Sequence, residues 1–176
     1  LDDIAAMDGI DALTIGPWHD NKEGSSHTRP PTDYDADHLL VRVIECVQGQ
    51  VQLEVVCEPM LDYGATAAKW SQVDLGEPDV WAMDATDGDS AFRLFADIRM
   101  GIEGNRVHGR HTMSEGERRY CALSWTEGRG GPHTVEQALE HLERTNHFWR
   151  TWLAEGSYPD HPWRFQLQRS ALALKG

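Results

Sequence analysis

The chain has 176 residues, with 16 lysines and arginines against 29 aspartates and glutamates and a formal net charge of −13. This acidity argues against binding to nucleic acid or to an anionic membrane surface, because both need many basic contacts. No apolar run approaches the roughly 18 residues of a membrane span, and no basic leader precedes an apolar stretch, so we expect a cytoplasmic protein.

Glycine and proline interrupt the first 38 residues. Leu13 and Ile15 predict a short strand, and residues 18–38 are predicted to form a long loop because they fit neither regular period. A loop of about twenty residues is long for a compact domain, so we expect it to contact a neighbouring surface.

From residue 39 the pattern becomes that of β-strands. Residues 39–47 and 50–58 are rich in valine, leucine and isoleucine, and Gln48–Gly49 between them is typical of a hairpin turn. We therefore predict an antiparallel hairpin. The second run alternates, which predicts one buried face formed by Val51, Leu53, Val55 and Cys57.

Four more strand-like runs follow, separated by turn-forming sequences. Several short strands at this spacing are typical of an antiparallel β-sandwich. The fold class is therefore predicted as mainly β, with residues 1–127 forming the sandwich. The four runs are residues 80–83, 92–100, 106–113 and 120–125.

An amphipathic helix is predicted next, within a linker at residues 128–161. Thr134 and Gln137 have the spacing of a capping box, and Gly156 is placed to end the helix. The apolar stripe recurs at steps of three and four and consists of Val135, Leu139, Leu142, Asn146, Trp149 and Leu153.

A second amphipathic helix is predicted at residues 162–176. Pro162 suits the first helical turn, where its missing N–H group costs nothing. We expect its apolar stripe to need a partner surface that these residues do not supply. The stripe consists of Trp163, Leu167, Ala171 and Leu174.

Acidic residues are the first candidates for catalysis. Glycoside cleavage needs two carboxyl groups on opposite sides of the scissile bond, one of them protonated. Nothing in the spacing places any two of the candidates opposite each other, so we predict structural roles for them. The candidates are Asp33, Asp35, Asp37, Asp62 and Glu103.

A metal or anion site is the second candidate. His108 and His111 are three residues apart on a predicted strand, so they face opposite sides and cannot ligate one ion. Arg106 and Arg110 leave anion binding as a minor alternative. No phosphate-binding loop, nucleophile elbow, dinucleotide fingerprint or CxxC pair is present. We therefore assign no catalytic or metal-binding residue and no cofactor, and leave substrate-binding residues unassigned.

Seven of the fifteen aromatic residues are tryptophan. Indole rings stack on sugars, but they also pack in cores and interfaces. Trp149 and Trp163 lie on helical stripes, which favours packing. Trp18 and Trp70 are predicted in loops, where they are free to bind a ligand.

The three cysteines are predicted to be reduced. In the hairpin register, Cys46 and Cys57 lie several residue steps apart, beyond disulfide reach. Cys121 belongs to another apolar run. Small buried thiols in a reducing compartment explain all three.

Six segments occur in an order found in one enzyme family. Together they resemble the N-terminal part of bacterial and archaeal glycoside hydrolase family 15 proteins, and within that family the actinobacterial α,α-trehalases. The resemblance covers almost the whole chain after about residue 11. The segments are RPPTDYDADHLLVR from residue 29, CEPMLDYG from 57, DIRMGIEG from 97, RHTMSEGE from 110, CALSW from 121, and FWRTWL with HPWRFQLQRSALALKG from 148.

The resemblance implies a β-supersandwich, a helical linker and then an (α/α)6 barrel that holds the active site. Residues 162–176 would begin the first barrel helix. The family cleaves α-glucosidic bonds with inversion, using one glutamate as general acid and another as general base. Those residues would lie beyond residue 176, so no family site residue is carried over to this chain.

The resemblance implies an accessory domain of an enzyme that splits trehalose into two glucoses, inactive by itself. A glucoamylase-type enzyme acting on α-glucans and a free-standing carbohydrate-binding or interaction sandwich are the alternatives. The expected partners are the catalytic barrel of the same polypeptide, its sugar substrate and a second copy in a homo-oligomer. Phosphate or magnesium dependence of the whole enzyme stays open.

Overall fold

The computed structural model describes residues 39–87, 91–125 and 130–175, together with the backbone of residues 14 and 15. A single 3₁₀ turn covers Asp62–Gly64. The helices are α1 (Val135–Glu155) and α2 (Arg164–Lys175). The strands are β1 (Thr14–Ile15), β2 (Leu39–Glu45), β3 (Gln50–Cys57), β4 (Met60–Leu61), β5 (Thr66–Ala67), β6 (Lys69–Val73), β7 (Trp81–Thr86), β8 (Ala91–Ala96), β9 (Met100–Glu103), β10 (Arg106–Ser114) and β11 (Arg118–Ser124).

The strands form two sheets and a small ribbon, and all their pairings are antiparallel. The large sheet has the order β1-β2-β11-β8-β7-β6, the small sheet has the order β3-β10-β9, and β4 pairs with β5. The prediction of a mainly β, antiparallel fold followed by two helices is confirmed.

The fold has three layers, with the large sheet in the middle. On one face of this sheet, Phe95, Tyr120 and Val41 pack with Ala138 of α1. On the other face, Met83, Leu94 and Cys121 of the large sheet pack with Val107 and Met100 of the small sheet. Alternate residues of each strand therefore serve two different cores, as the two-residue period of a strand requires.

The predicted hairpin between residues 39–47 and 50–58 is wrong. β2 pairs with β11 in the large sheet, whereas β3 pairs with β10 in the small sheet. The chain does not reverse at Gln48–Gly49 but crosses from one sheet to the other. The alternation in β3 identified the inward face correctly, although Val51 is 47% exposed and the other three residues of that face are half-buried.

The crossing works because two strands switch sheets together. Residues 46–49 lie against residues 115–117, so four residues on one side face three on the other, as in a β-bulge. The N–H of Cys46 donates to the carbonyl of Glu117 at 3.0 Å, and the N–H of Gly116 donates to the carbonyl of Cys46 at 2.8 Å. Gly49 and Gly116 have φ angles of +69° and +79°, which glycine adopts without steric cost. We call this region the corner.

The predicted strand at residues 92–100 is also divided between the sheets. β8 ends at Ala96 in the large sheet, and β9 begins at Met100 in the small sheet. Asp97 lies at this second crossing, where its carboxylate accepts a hydrogen bond from the N–H of Tyr120 at 2.9 Å. The other predicted strands are confirmed, and the predicted short strand at Leu13 and Ile15 corresponds to β1. The predicted loop at 18–38 lies outside the described residues.

Helix α1 has the predicted ends. The hydroxyl of Thr134 accepts a hydrogen bond from the N–H of Gln137 at 3.2 Å, while the Gln137 side chain accepts from the N–H of His133 at 2.7 Å. In a usual capping box this side chain accepts from the N–H of the N-cap residue, which is Thr134 here, whereas in this helix it accepts from the residue before it. The helix ends at Gly156 as predicted. No helix among the described residues combines the length and the apolar character that a bilayer span requires.

A tight contact fixes the entry to α1. A Cβ atom built on Gly131 would lie 2.5 Å from the ring of Phe95, which is itself 1% exposed. The next residue, Pro132, accepts a hydrogen bond through its carbonyl from the hydroxyl of Tyr120 at 2.9 Å. Gly131 thus lets the chain pass close to the core before the helix begins.

We expect Gly131→Ala to lower the free energy of unfolding by about 1–3 kcal/mol, because the added methyl group overpacks the Phe95 site. Urea unfolding followed by tryptophan fluorescence measures this. The control is Gly130→Ala, since a Cβ at Gly130 meets nothing within 4 Å. Equal effects of the two substitutions would contradict the steric explanation.

Candidate functional site

The candidate acidic residues do not form a catalytic pair in the described structure. Asp33, Asp35 and Asp37 lie outside the described residues, and Asp62 belongs to a 3₁₀ turn. Glu103 is a surface residue whose side chain is 59% exposed, and the Nε of Arg106 donates to its carboxylate at 3.1 Å. This bond holds the pKa of Glu103 below its ordinary value. A general acid in glycoside cleavage needs the opposite shift.

The two histidines contact different carboxylates. His111 Nε2 lies 2.6 Å from a carboxylate oxygen of Glu117, whereas His108 Nε2 lies 4.0 Å from Glu103. Arg110 donates to Glu54 at 2.9 and 3.0 Å, so it is not free to hold an anion. Among residues 39–87, 91–125 and 130–175, no group of three or more metal-binding side chains is arranged around one point.

A cluster of ionisable residues lies at the corner, and no sequence pattern predicted it. It consists of Asp97, His111, Glu117 and Arg119, and we call it the corner cluster. Arg119 lies between the two carboxylates, with its Nε 2.8 Å from Glu117 and its NH1 3.6 Å from Asp97. The side chains are 14–31% exposed. Asp97 and Glu117 are 20 residues apart in the sequence, so only the two sheet crossings bring them together.

The two carboxylates of the corner cluster have opposite pKa shifts. Burial raises the pKa of Asp97, and the bonds from Tyr120 and Arg119 oppose this only in part. The pKa of Glu117 falls from 4.5 to about 2, mainly because the N–H of Ser114 donates to it, with His111 and Arg119 adding to the effect.

Opposed pKa values in neighbouring carboxyl groups are typical of acid–base sites. Here, however, the guanidinium of Arg119 fills the space between the carboxylates, and backbone N–H groups occupy one oxygen of each. An inverting glycosidase needs a sugar and a water in that space. The geometry therefore supports a structural clamp that fixes the corner.

A cleft of about 320 Å³ opens between the two sheets on the β3 side of the sandwich. Its walls combine apolar side chains with the exposed charged residues Arg42 of β2 and Glu54 of β3. Burial raises the pKa of Cys57, next to this cleft, to about 11, and the positive charge of Arg42 opposes the shift. All three cysteines are free, as predicted. The lining residues are Arg42, Ile44, Leu53, Glu54, Val55, Val56 and Cys121.

The observed surroundings of the tryptophans agree only in part with the predictions. Trp70 is wrongly predicted to lie in a loop: it belongs to β6, its Nε1 donates to the carbonyl of Asn105 at 2.9 Å, and its ring packs edge-on against Phe92. Trp149 is half-buried, and its ring contacts those of Phe148 and Trp152 on the same helix. Trp18 lies outside the described residues.

Helix α2 has an exposed apolar stripe. Trp163, which just precedes the helix, is 62% exposed, Leu167 is 42% exposed and Leu174 is 90% exposed. The packing predicted for Trp163 is therefore absent among the described residues. Ala171, the remaining member of the stripe, is half-buried. Trp163, Leu167 and Leu174 are separated by four and seven residues, so they lie within about 40° of one another on one side of the helix axis.

Two known relatives bear on the function of this chain. It is 43% identical over 169 residues to the trehalase of Mycolicibacterium smegmatis and 42% identical over 169 residues to the trehalase of Mycobacterium tuberculosis. Each alignment covers 94% of this chain. The chain is thus similar to trehalases over nearly its whole length.

The similarity concerns only part of each trehalase. The chain spans about a quarter of the length of these relatives. No family model matches the chain, and no solved structure matches it either. The alignment agrees with the resemblance to trehalases noted in the sequence. Three quarters of each trehalase lie outside it.

We expect Glu117→Gln to change how stability depends on pH. The pKa of Glu117 is lower in the folded state, so its ionised form stabilises the protein above pH 4.5, and this contribution is lost as the pH falls from 4.5 to about 2. The variant should therefore be less stable at pH 7 and should lose less stability in that acidic range.

Chemical denaturation at several pH values measures the effect. Glu155→Gln, at the exposed end of α1, removes an equal charge away from the corner and corrects for the change in net charge. Parallel pH profiles for the wild type and Glu117→Gln would show that the corner cluster does not clamp the fold.

Proposed function

We propose that this chain is the sandwich and linker region of a trehalose-hydrolysing enzyme of glycoside hydrolase family 15. The observation that carries the proposal is the 43% identity to a trehalase over 169 residues. The six ordered segments support the family assignment, and the three-layer sandwich followed by two helices agrees with the architecture that the resemblance implies. On this proposal the protein acts in the cytoplasm.

The proposed reaction is cleavage of trehalose to two glucoses with inversion at one anomeric carbon. It needs a protonated carboxyl group on the leaving-group side and an ionised one that activates water on the other side. The corner cluster and Glu103 do not meet this requirement, as described above. We therefore place the catalytic glutamates in an (α/α)6 barrel formed by polypeptide outside these residues, and expect these residues alone to be inactive.

The alternative substrates are α-glucans, as in glucoamylase-type relatives of the same family. Both relatives found by comparison are trehalases, which favours trehalose. A free-standing carbohydrate-binding sandwich is less favoured, because Trp70 is engaged in packing and Arg110 in an ion pair. On this proposal, any dependence of the whole enzyme on phosphate or magnesium is a property of the same barrel.

The domain limits follow from this proposal. Residues 1–127 form the sandwich, residues 128–161 form the linker that carries α1, and residues 162–176 begin the barrel. The exposed stripe of α2 supports the last assignment, because an apolar helix face of this kind is stabilised by covering it.

A chimera tests the function. We expect this chain to release no glucose from trehalose by itself, and to yield an active trehalase when it replaces the matching quarter of the M. smegmatis enzyme. Proton NMR of the first turnovers should show α- and β-glucose in equal amounts, because inversion acts on one glucose unit only. The control substrate is maltose. Turnover of trehalose by the 176 residues alone would refute the assignment of the active site to the barrel.

A second experiment tests the proposed role of α2. Leu174→Glu places a charge on the exposed stripe, so it should weaken self-association of the 176-residue chain and lower the thermal stability of the chimera. Ala173→Glu is the matched control, because it adds the same charge about 100° further round the helix at another exposed position. Sedimentation velocity and thermal unfolding measure both effects. If the two variants behave alike, the stripe is not a docking face.

A further inference from the structure

Among the described residues, the small sheet has an unpaired edge on the side of the cleft. β3 is the outer strand in the order β3-β10-β9, and among the described residues no strand lies beside its other edge. It is eight residues long and carries a single charge, Glu54, with no proline and no lysine. Natural proteins rarely leave such an edge open, because its unpaired N–H and C=O groups pair readily with another strand.

The cleft runs along this edge. Its lining includes four consecutive residues of β3, 53–56, so the backbone edge itself forms the wall rather than one face of the strand. The opposite wall is β2, which contributes Arg42 and Ile44. The side chains that would become covered are only half-buried now, namely Ile44, Leu53 and Val55.

The two sheets differ in width at this point. The large sheet has six strands and the small sheet has three. The small sheet packs on β7, β8 and β11, and the cleft lies over Arg42 and Ile44 of β2. One additional strand beside β3 would cover β2 and continue the inter-sheet core. The inward positions of β3 would then be buried, as their alternation predicts.

We propose that the edge of β3 accepts one extended strand from a part of the same polypeptide outside these 176 residues. This rests on the proposed function, because the trehalase relatives are about four times as long as this chain. A second copy of this chain is the alternative occupant, and the concentration dependence of protection described below distinguishes it.

The incoming strand has a recognisable chemistry. Its inward residues alternate and are apolar, because they meet Ile44, Leu53 and Val55. It carries an acidic residue near Arg42, whose exposed side chain makes no ion pair or hydrogen bond among the described residues. The charge of Arg42 opposes the pKa shift of Cys57, so its field reaches into the cleft.

The test uses overlapping 15-residue peptides that cover the three quarters of the M. smegmatis trehalase outside the alignment. Each is added to the 176-residue protein, and hydrogen–deuterium exchange of Gln50–Cys57 is followed by mass spectrometry. We expect one peptide, or two that overlap, to slow exchange in β3 about tenfold or more. β9 forms the other edge of the same sheet and serves as the internal control.

A charge reversal checks the position of the strand. Arg42→Glu should weaken binding of that peptide roughly three- to tenfold. Arg150→Glu is the control, since Arg150 is an exposed arginine of α1, which covers the opposite face of the large sheet. Equal weakening by both variants would overturn the placement beside Arg42.

Two other results would overturn the proposal. The first is that no peptide protects β3. The second is that protection of β3 rises with protein concentration in the absence of peptide, which would assign the edge to a second copy. Enzyme activity does not enter this test, so strand uptake and trehalose hydrolysis succeed or fail separately.

Discussion

Two neighbouring chain segments, β2–β3 and β10–β11, each run between the large sheet and the small sheet at one corner. The rest of the sandwich depends on this joint crossing. Because β2–β3 and β10–β11 turn together, their backbone groups stay paired through the bend, with one extra residue at 46–49. Each strand pair therefore contributes to both sheets. A bend made by one strand alone would leave its neighbour's N–H and C=O groups unpaired, at a cost comparable to lost hydrogen bonds.

The corner also determines what its charged residues can do. Glu117 accepts hydrogen bonds from the N–H of Ser114 and from Arg119, and Arg119 reaches Asp97 at the second crossing. Burial raises the pKa of Asp97 and hydrogen bonds lower the pKa of Glu117, in groups that stabilise the bend. Perturbed carboxyl groups in one place therefore do not by themselves make an active site. The hydroxyl of Tyr120, bonded to Pro132, connects the same region to the start of α1.

The corner leaves the molecule asymmetric. One face of the large sheet is covered by α1, whereas the other is covered by a sheet with half as many strands. Among the described residues, the exposed large apolar side chains include Val51 and Val56 of β3 and Phe165, Leu167 and Leu174 of α2. These are the two elements to which the proposals above assign contacts with further polypeptide.

The sequence by itself determined the local structure: the period of two identified the strands and the inward face of β3, and Thr134, Gln137 and Gly156 marked the ends of α1. These features depend on residues close together in the chain. Tertiary structure decided the rest. Gln48–Gly49 is compatible with a hairpin or a crossing, and only the partner turn at 115–117 selects the crossing. The corner cluster joins residues from two crossings, and Trp70 is placed by Phe92 and Asn105, contacts that no local pattern contains.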